Sequence, residues 1–384
     1  MTRRVFVVPI ILLASALLTA TPQSTWKDPS PHTVTSVTVD AGVELEVLDW
    51  GGSGPALVLL AGLGVTAHQY DDVGPALASR YRVISLTRRG HRGSSPAPSG
   101  YEFARLAQDI VNVMNAKGID KAIVVGSSFA GEEMHVLGAR HSARIRGLVY
   151  VDAAFDRGDD TDDAAFNAVA RLVPAAPGSE ERDRASFTAF RAYLEKYGVH
   201  WPEGYMRTRF RANPDGTIAG VWAPERPVIE AMTNAQRGEY HPYNPAPIGV
   251  PALAIYSVPT SANDLMRRGS SDRTAFPDLV ARTADNPALG ARVEELYQLT
   301  RARVRNHEKW FKAFAARARV VELSGSHDLI LSNPREVLEQ IERFVSSLGG
   351  DRLGRSPRVS DRLSAQTVPS PSRSKTCAPE CRRP

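Results

Sequence analysis

The chain has 384 residues, of which 42% are hydrophobic and 23% are charged, and its formal net charge is +5. This apolar fraction supports a sizeable core and excludes wholesale disorder, while two cysteines exclude a disulfide scaffold and a cysteine-rich metal site. The segment 346–384 alone carries eight basic and three acidic residues, so the remainder is close to neutral and does not predict a nucleic-acid-binding surface.

The amino-terminal segment has the pattern of an export signal. Arg3 and Arg4 precede the uncharged, mostly apolar residues 5–18, and small residues follow. The apolar run is short for a bilayer span and contains Pro9, so we predict a signal peptide over 1–20 that is cut after Ala20; an uncleaved anchor is the alternative. We expect the mature protein to be secreted or periplasmic and to contain no stable membrane span.

Strands and helices alternate through the middle of the chain. The predicted strands are 33–39, 43–48, 56–60, 81–86, 121–125, 147–151, 252–256 and 319–323, and the predicted helices between or after them are 68–79, 101–117, 129–141 and 333–347. This alternation predicts an α/β fold whose central sheet has about eight mostly parallel strands, with helices on both faces. The turn at 40–42 predicts an antiparallel hairpin at the sheet edge.

A long interruption separates the sixth and seventh predicted strands. An unstructured loop of this length would be implausible in a compact domain, so we predict an inserted helical cap over 154–246. A second helical stretch, 278–315, separates the last two strands. The core of the fold then comprises 33–153 and 247–348.

The carboxyl-terminal segment 349–384 is rich in Ser, Pro and Arg and contains no aromatic residue. Such a composition cannot bury enough apolar surface to offset the cost of ordering the chain, so we predict a disordered basic tail. Cys377 and Cys381 lie inside this segment, and a disulfide bond between them would not cross-link the core.

A serine stands where the fifth strand turns into a helix. The strand ends in the sequence GSSFAG, which matches small-x-Ser-x-small when it is centred on Ser128. At such a turn the backbone is strained, the hydroxyl is pushed outward, and the residues two before and two after lie against each other. Gly126 and Ala130 are small enough to lie against each other, and Gly131 follows them. Centring the motif on Ser127 would instead place the larger Val125 and Phe129 at these two positions. Ser128 is therefore the candidate nucleophile. The alternative is a turn that only joins the strand to the helix and has no catalytic role.

A serine hydroxyl is a weak nucleophile that needs a base, and the base needs an orienting acid. His327 follows the last predicted strand on a glycine-containing loop, at the carboxyl end of the sheet where α/β folds place their sites. We therefore predict His327 as the base.

At this point the chain from 34 to 348 resembles the α/β-hydrolase superfamily, in its serine esterase and lipase-like branch with a helical cap. The order of Ser128, the cap and His327 is similar to that of the family. The sequence AGLG at 61–64 resembles the family's His-Gly-x-Gly oxyanion loop, and TRRGHRGSS at 87–95 resembles its Asp-x-Arg-Gly-x-Gly-x-Ser segment. The combination indicates the superfamily and not a substrate.

The resemblance implies that the backbone N–H groups of Leu63 and Phe129 bind the oxyanion. It also places the acid after the sixth or the seventh strand. No carboxylate directly follows the seventh strand, and Asp264 comes several residues late, whereas Asp152 ends the sixth strand. We therefore predict Asp152 as the acid with Asp264 as the alternative, and a purely loop-fixing Asp152 stays open.

These residues predict a secreted serine hydrolase, foremost a carboxylic-ester hydrolase that works through a Ser-His-Asp triad and an acyl-enzyme. We expect a small-molecule, mainly apolar ester-like substrate, no cofactor and no metal; the sequence does not indicate an oligomeric state. An amidase, a peptidase-type enzyme or a C–C-bond hydrolase would use the same parts, and a non-catalytic ligand-binding homologue is the other alternative. A dinucleotide site at GLGVTA is disfavoured because the next strand ends in arginines and not in an acidic residue.

Overall fold

The computed structural model describes residues 26–158, 161–173, 179–196, 199–240, 245–268 and 282–349. The predicted signal peptide and the predicted tail beyond residue 349, with both cysteines, lie outside the described residues. In the described ranges no helix combines the length and the apolar character that a membrane crossing requires.

An eight-stranded sheet forms the centre of the fold, as the sequence predicts. Its strands are β1 (Thr33–Asp40), β2 (Val43–Gly51), β3 (Ala56–Leu60), β4 (Arg82–Leu86), β5 (Ala122–Ser127), β6 (Ile145–Val151), β9 (Ala252–Ser257) and β10 (Ala318–Leu323). They are arranged in the order β1-β2-β4-β3-β5-β6-β9-β10. The pairs β1–β2 and β2–β4 are antiparallel and every other pair is parallel, so the predicted edge hairpin is confirmed.

Helices cover both faces of the sheet because the inner strands are apolar on both sides. The helices of the core are α1 (Gly74–Ala78), α2 (Phe103–Ala116), α3 (Ala130–Arg140), α8 (Ala262–Arg268), α9 (Pro287–Phe314), α10 (Leu329–Ser332) and α11 (Pro334–Ser347). One buried cluster joins α2, α3 and the end of α9 to side chains such as Val58 and Val124. The other joins α1 and α11 to side chains such as Leu57 and Val125, so neighbouring residues of one strand enter opposite layers.

The prediction of one continuous helix over 68–79 is wrong. The chain forms a 3₁₀ turn at Ala67–Tyr70 and then the short helix α1. Pro75 occupies the first turn of α1, where its missing N–H costs nothing, but it would break a helix that ran through this point.

In its described residues the segment between β6 and β9, which we call the inserted segment, contains four α-helices, a 3₁₀ turn at Arg182–Arg184 and a hairpin. Its elements are α4 (Thr161–Ala170), α5 (Phe187–Lys196), α6 (Glu203–Arg209), β7 (Phe210–Ala212), β8 (Ile218–Val221) and α7 (Arg226–Tyr240). The strands β7 and β8 form a hairpin that the sequence analysis does not predict. It turns at the residues NPDG over 213–216, and Asn213 N–H donates to Thr217 O at 2.8 Å across the turn.

Candidate active site

Ser128 lies at a strained corner between β5 and α3. Its φ is +53°, and among the described residues only Ser128 and Asp152 combine a positive φ with a side chain larger than glycine's hydrogen. The small neighbours make this corner possible, since a Cβ at Gly126 would lie 2.8 Å from the Cβ of Ala130 and would overlap Met134 Sδ. The side chain of Ser128 is neither buried nor fully exposed.

Asp152 and His327 meet at the carboxyl edge of the sheet. The distance between Asp152 Oδ2 and His327 Nδ1 is 2.6 Å. A carboxylate can only accept this hydrogen bond, so Nδ1 carries the proton and Nε2 of the neutral ring keeps its lone pair. The Asp152 side chain is 9% exposed and that of His327 is 22% exposed, so the pair is shielded while the ring stays reachable from the cavity.

The end of β9 holds Asp152 in its position. Asp152 N–H donates to Ile255 O at 2.7 Å, and Asp152 Oδ1 accepts from Ser257 N–H at 2.9 Å. The hydroxyl of Ser257 donates to Gly325 O at 2.7 Å and so reaches the loop that carries His327. Ser257 is a site residue that the sequence analysis missed, because nothing in a strand-end serine marks which two loops it will join.

Asp264, the alternative acid, lies in the first turn of α8. Its carboxylate accepts hydrogen bonds from Thr260 N–H at 2.8 Å and from the hydroxyl of Ser324. Asp264 N–H in turn donates to Ser261 Oγ at 3.1 Å, so the residue before α8 caps its first turn. These contacts assign Asp264 a role in starting α8, whereas Asp152 is placed against the imidazole.

The loop 61–64 approaches the serine corner closely. A Cβ at Gly62 would lie 3.3 Å from the Cβ of Ser128. Leu63 follows Gly62 in the chain, and Phe129 follows Ser128. The two residues that the resemblance implies for the oxyanion therefore stand next in sequence to the two residues that approach each other at the corner.

Two residues of the 87–95 segment brace this loop. The guanidinium of Arg88 donates to Ala61 O at 3.0 Å and to Gly62 O at 3.2 Å, and it forms a buried ion pair with Glu133 of α3. Nε2 of His91 accepts from Gly64 N–H at 2.9 Å. Burial and then the nearby Arg88 charge lower the pKa of His91 to about 3, so the ring stays neutral and keeps the lone pair that this bond needs.

Ser128, Asp152 and His327 line one cavity of about 240 Å³. Its wall contains the apolar side chains of Phe155, Phe166, Leu265 and Val304 together with the polar side chains of Arg157, Arg303 and His307. The guanidinium of Arg157 lies 4.9 Å from the centroid of the Phe155 ring, and its Nε is 3.1 Å from Glu132 Oε1. The cavity therefore combines apolar rings with guanidinium groups, and Glu132 balances the charge of Arg157.

Comparison with known proteins places this chain in one class. A family model for the α/β hydrolase fold matches residues 55–191. A protein of Caulobacter segnis named "Putative carbamate hydrolase RutD" is 38% identical over 209 residues, which cover 53% of this chain and 72% of that protein. The chain therefore belongs to the α/β-hydrolase fold superfamily.

A second relative and a solved structure match other shares of the chain. The fluoroacetate dehalogenase of a Burkholderia species is 31% identical over 175 residues, which cover 44% of this chain and only 50% of that protein. The chain thus spans half the length of this relative. The structure of a thermophilic esterase from Thermogutta terrifontis superposes on 83% of this chain and on 100% of its own length. The TM-score is 0.50 and the sequence identity is 16%, which shows a likeness of fold alone.

We expect Gly131→Ala to lower the free energy of unfolding by about 1–3 kcal/mol, because a methyl group there would overlap the carbonyl oxygen of Ala153, next to Asp152. Gly238→Ala in α7 is the matched control. Nothing lies within 4 Å of its added Cβ, so we expect it to raise that free energy by about 0.5–1 kcal/mol. Urea unfolding measures both, and equal effects would contradict this account of the corner.

Proposed function

We propose that this protein is an exported serine hydrolase that cleaves carboxylic esters through Ser128, His327 and Asp152. One observation carries the proposal: the Asp152 carboxylate lies 2.6 Å from His327 Nδ1 in the cavity onto which Ser128 opens from a strained turn. Such a pair fixes the imidazole tautomer that can act as a base at Nε2.

In the proposed reaction, His327 Nε2 takes the hydroxyl proton while Ser128 Oγ bonds to the ester carbonyl carbon. The N–H groups of Leu63 and Phe129 donate to the resulting oxyanion, and losing one such donor typically costs roughly 10²–10³ in rate. The C–O bond to the alcohol then breaks, and the imidazolium returns its proton to the leaving oxygen. Water repeats the sequence on the acyl-enzyme, releases the acid and restores the hydroxyl.

The serine nucleophile favours acyl transfer over displacement at a saturated carbon. Attack by Ser128 on an alkyl carbon would leave an ether, which a histidine base and water cannot hydrolyse. Attack on a carbonyl leaves an ester, which the same groups can cleave. This separates the proposed reaction from the dehalogenation that the Burkholderia relative is named for.

The cavity suggests the size and charge of the substrate. About 240 Å³ lies below the usual range for drug-sized ligands and suits a short acyl chain. The sequence analysis predicts a mainly apolar substrate, and the phenylalanines Phe155 and Phe166 fit that. Arg157 and Arg303 in the same wall add a preference for an ester that carries a second, anionic group.

We expect Ser128→Ala and His327→Ala to abolish the hydrolysis of short p-nitrophenyl esters and of the p-nitrophenyl hemisuccinate. Asp152→Asn should lower kcat about 10³–10⁴-fold because the ring loses its tautomer, whereas Asp264→Asn should change kcat less than about tenfold. Steady-state kinetics decide, with circular dichroism to check that each variant folds. A large loss in Asp264→Asn beside an active Asp152→Asn would reverse the assignment.

Export is supported by residues 1–20, in which two arginines precede an apolar run and a small residue. We expect the mature protein to begin at Thr21, which amino-terminal sequencing of the exported fraction would show. A protein that keeps Met1 and stays in the cell would contradict this part of the proposal.

A further inference from the structure

Two histidines and two aspartates form a buried cluster that does not line the catalytic cavity. Asp28 and His32 precede β1, and His68 and Asp71 belong to the 3₁₀ turn after β3 and its end. One donor atom from each of the four lies within 4.8 Å of all the others. We infer that these side chains bind one divalent transition-metal ion, for which Zn²⁺ is the best match.

The distances between the donor atoms fit a single small ion. His68 Nδ1 is 2.8 Å from Asp71 Oδ2 and 3.1 Å from Asp28 Oδ2, and His32 Nε2 is 3.3 Å from Asp71 Oδ1 and 3.6 Å from Asp28 Oδ2. Zinc bonds to nitrogen and oxygen at about 2.1 Å, so the edges of a tetrahedral site measure about 3.4 Å. The distances of 3.1, 3.3 and 3.6 Å lie close to this value, whereas the 2.8 Å contact is a hydrogen bond between His68 and the other carboxylate oxygen of Asp71.

Several atoms of the cluster lack the hydrogen bonds that burial normally requires. Both ring nitrogens of His32, Oδ2 of Asp28 and Oδ1 of Asp71 are buried without a hydrogen-bond partner in the described part of the chain. The side chains of His32 and Asp71 are 2% and 3% exposed. If the cluster were only a set of ion pairs, the N–H groups of His32 should aim at carboxylate oxygens in hydrogen-bond geometry. A metal ion would instead use His32 Nε2, Asp28 Oδ2 and Asp71 Oδ1 as ligands.

The chemistry of the donors selects the ion. Imidazole nitrogen with carboxylate oxygen is a ligand set for zinc and its neighbours, whereas Mg²⁺ and Ca²⁺ prefer oxygen alone. In the metal-bound state the two imidazoles would be neutral and the two carboxylates ionised, so the ligand set would carry a charge of −2, which a divalent ion neutralises inside the protein. Four protein ligands leave no open position, as in structural zinc sites.

The surrounding residues close the site and show what the ion would join. A Cβ at Gly204 of α6 would lie 2.6 Å from Asp28 Oδ2 and 2.9 Å from His68 Nδ1, so only glycine lets the inserted segment approach the cluster. On another side the ring of His32 packs edge-on against Trp50 of β2 at 5.3 Å. The ion would therefore fasten the segment before β1 to the sheet, directly beneath α6.

The test uses the full exported chain without a histidine tag, stripped with EDTA, dialysed and then given one equivalent of Zn²⁺. We expect about one tightly held ion per chain by elemental analysis and a rise in Tm of at least about 4 °C. Co²⁺ in place of Zn²⁺ should give the visible d–d absorption of a tetrahedral site. Less than about a tenth of an equivalent of Zn²⁺ in the wild-type chain would overturn the inference.

Two variants of the cluster and one control variant test whether the ion binds at this site. His32→Ala and Asp28→Asn should each lose both the bound ion and the Tm increase, and Asp28→Asn serves if His32→Ala does not fold. His200→Ala removes an exposed histidine of the inserted segment and should bind Zn²⁺ like the wild type. Zn²⁺ retained by both cluster variants, or lost in His200→Ala, would show surface binding only and overturn the site. Ester hydrolysis plays no part in these readouts, so this inference and the proposed function can fail separately.

Discussion

The site depends on two left-handed backbone positions at the ends of adjacent parallel strands. Ser128 after β5 and Asp152 after β6 have φ values of +53° and +47°, a conformation that costs a residue other than glycine on the order of 1–3 kcal/mol. The strand order β5-β6-β9-β10 brings these ends to one edge, together with the loop that carries His327. Contacts with β9 hold Asp152 in the strained conformation. The packing of the sheet therefore offsets the conformational cost of the site.

Charged and polar side chains then fix the loops that regular structure leaves unsupported. Arg88 ties the carbonyls of Ala61 and Gly62 to Glu133 on the helix that begins at the serine corner, and neutral His91 holds the next turn of the same loop. A buried ion pair adds little net stability but is strongly destabilising when one partner is removed, so it acts as a geometric constraint. The proposed zinc site would play the same part for the segment before β1.

The sequence predicts the sheet well and the long-range polar contacts poorly, for physical reasons. The strand β3 is predicted to the residue because an apolar run between turn residues has few alternatives. The hairpin β7–β8 was missed although NPDG is a turn signal, since its strands are short and only partly buried. The hydrogen bonds of Ser257 with Asp152 and of Arg88 with Glu133 join residues that are 105 and 45 positions apart in the chain. No local sequence pattern predicts contact at such a separation. His32 and Asp71 likewise lie far apart in the chain and meet only in the fold.

Mass spectrometry after labelling with a fluorophosphonate tests the central claim most directly, because the reagent reacts with a serine only when a working base activates it. We expect a single adduct on Ser128 in the wild-type chain, no adduct in Ser128→Ala, and much slower labelling in His327→Ala and Asp152→Asn. An adduct on Ser127, or an undiminished rate in His327→Ala, would contradict the claim that Asp152 and His327 together make Ser128 reactive.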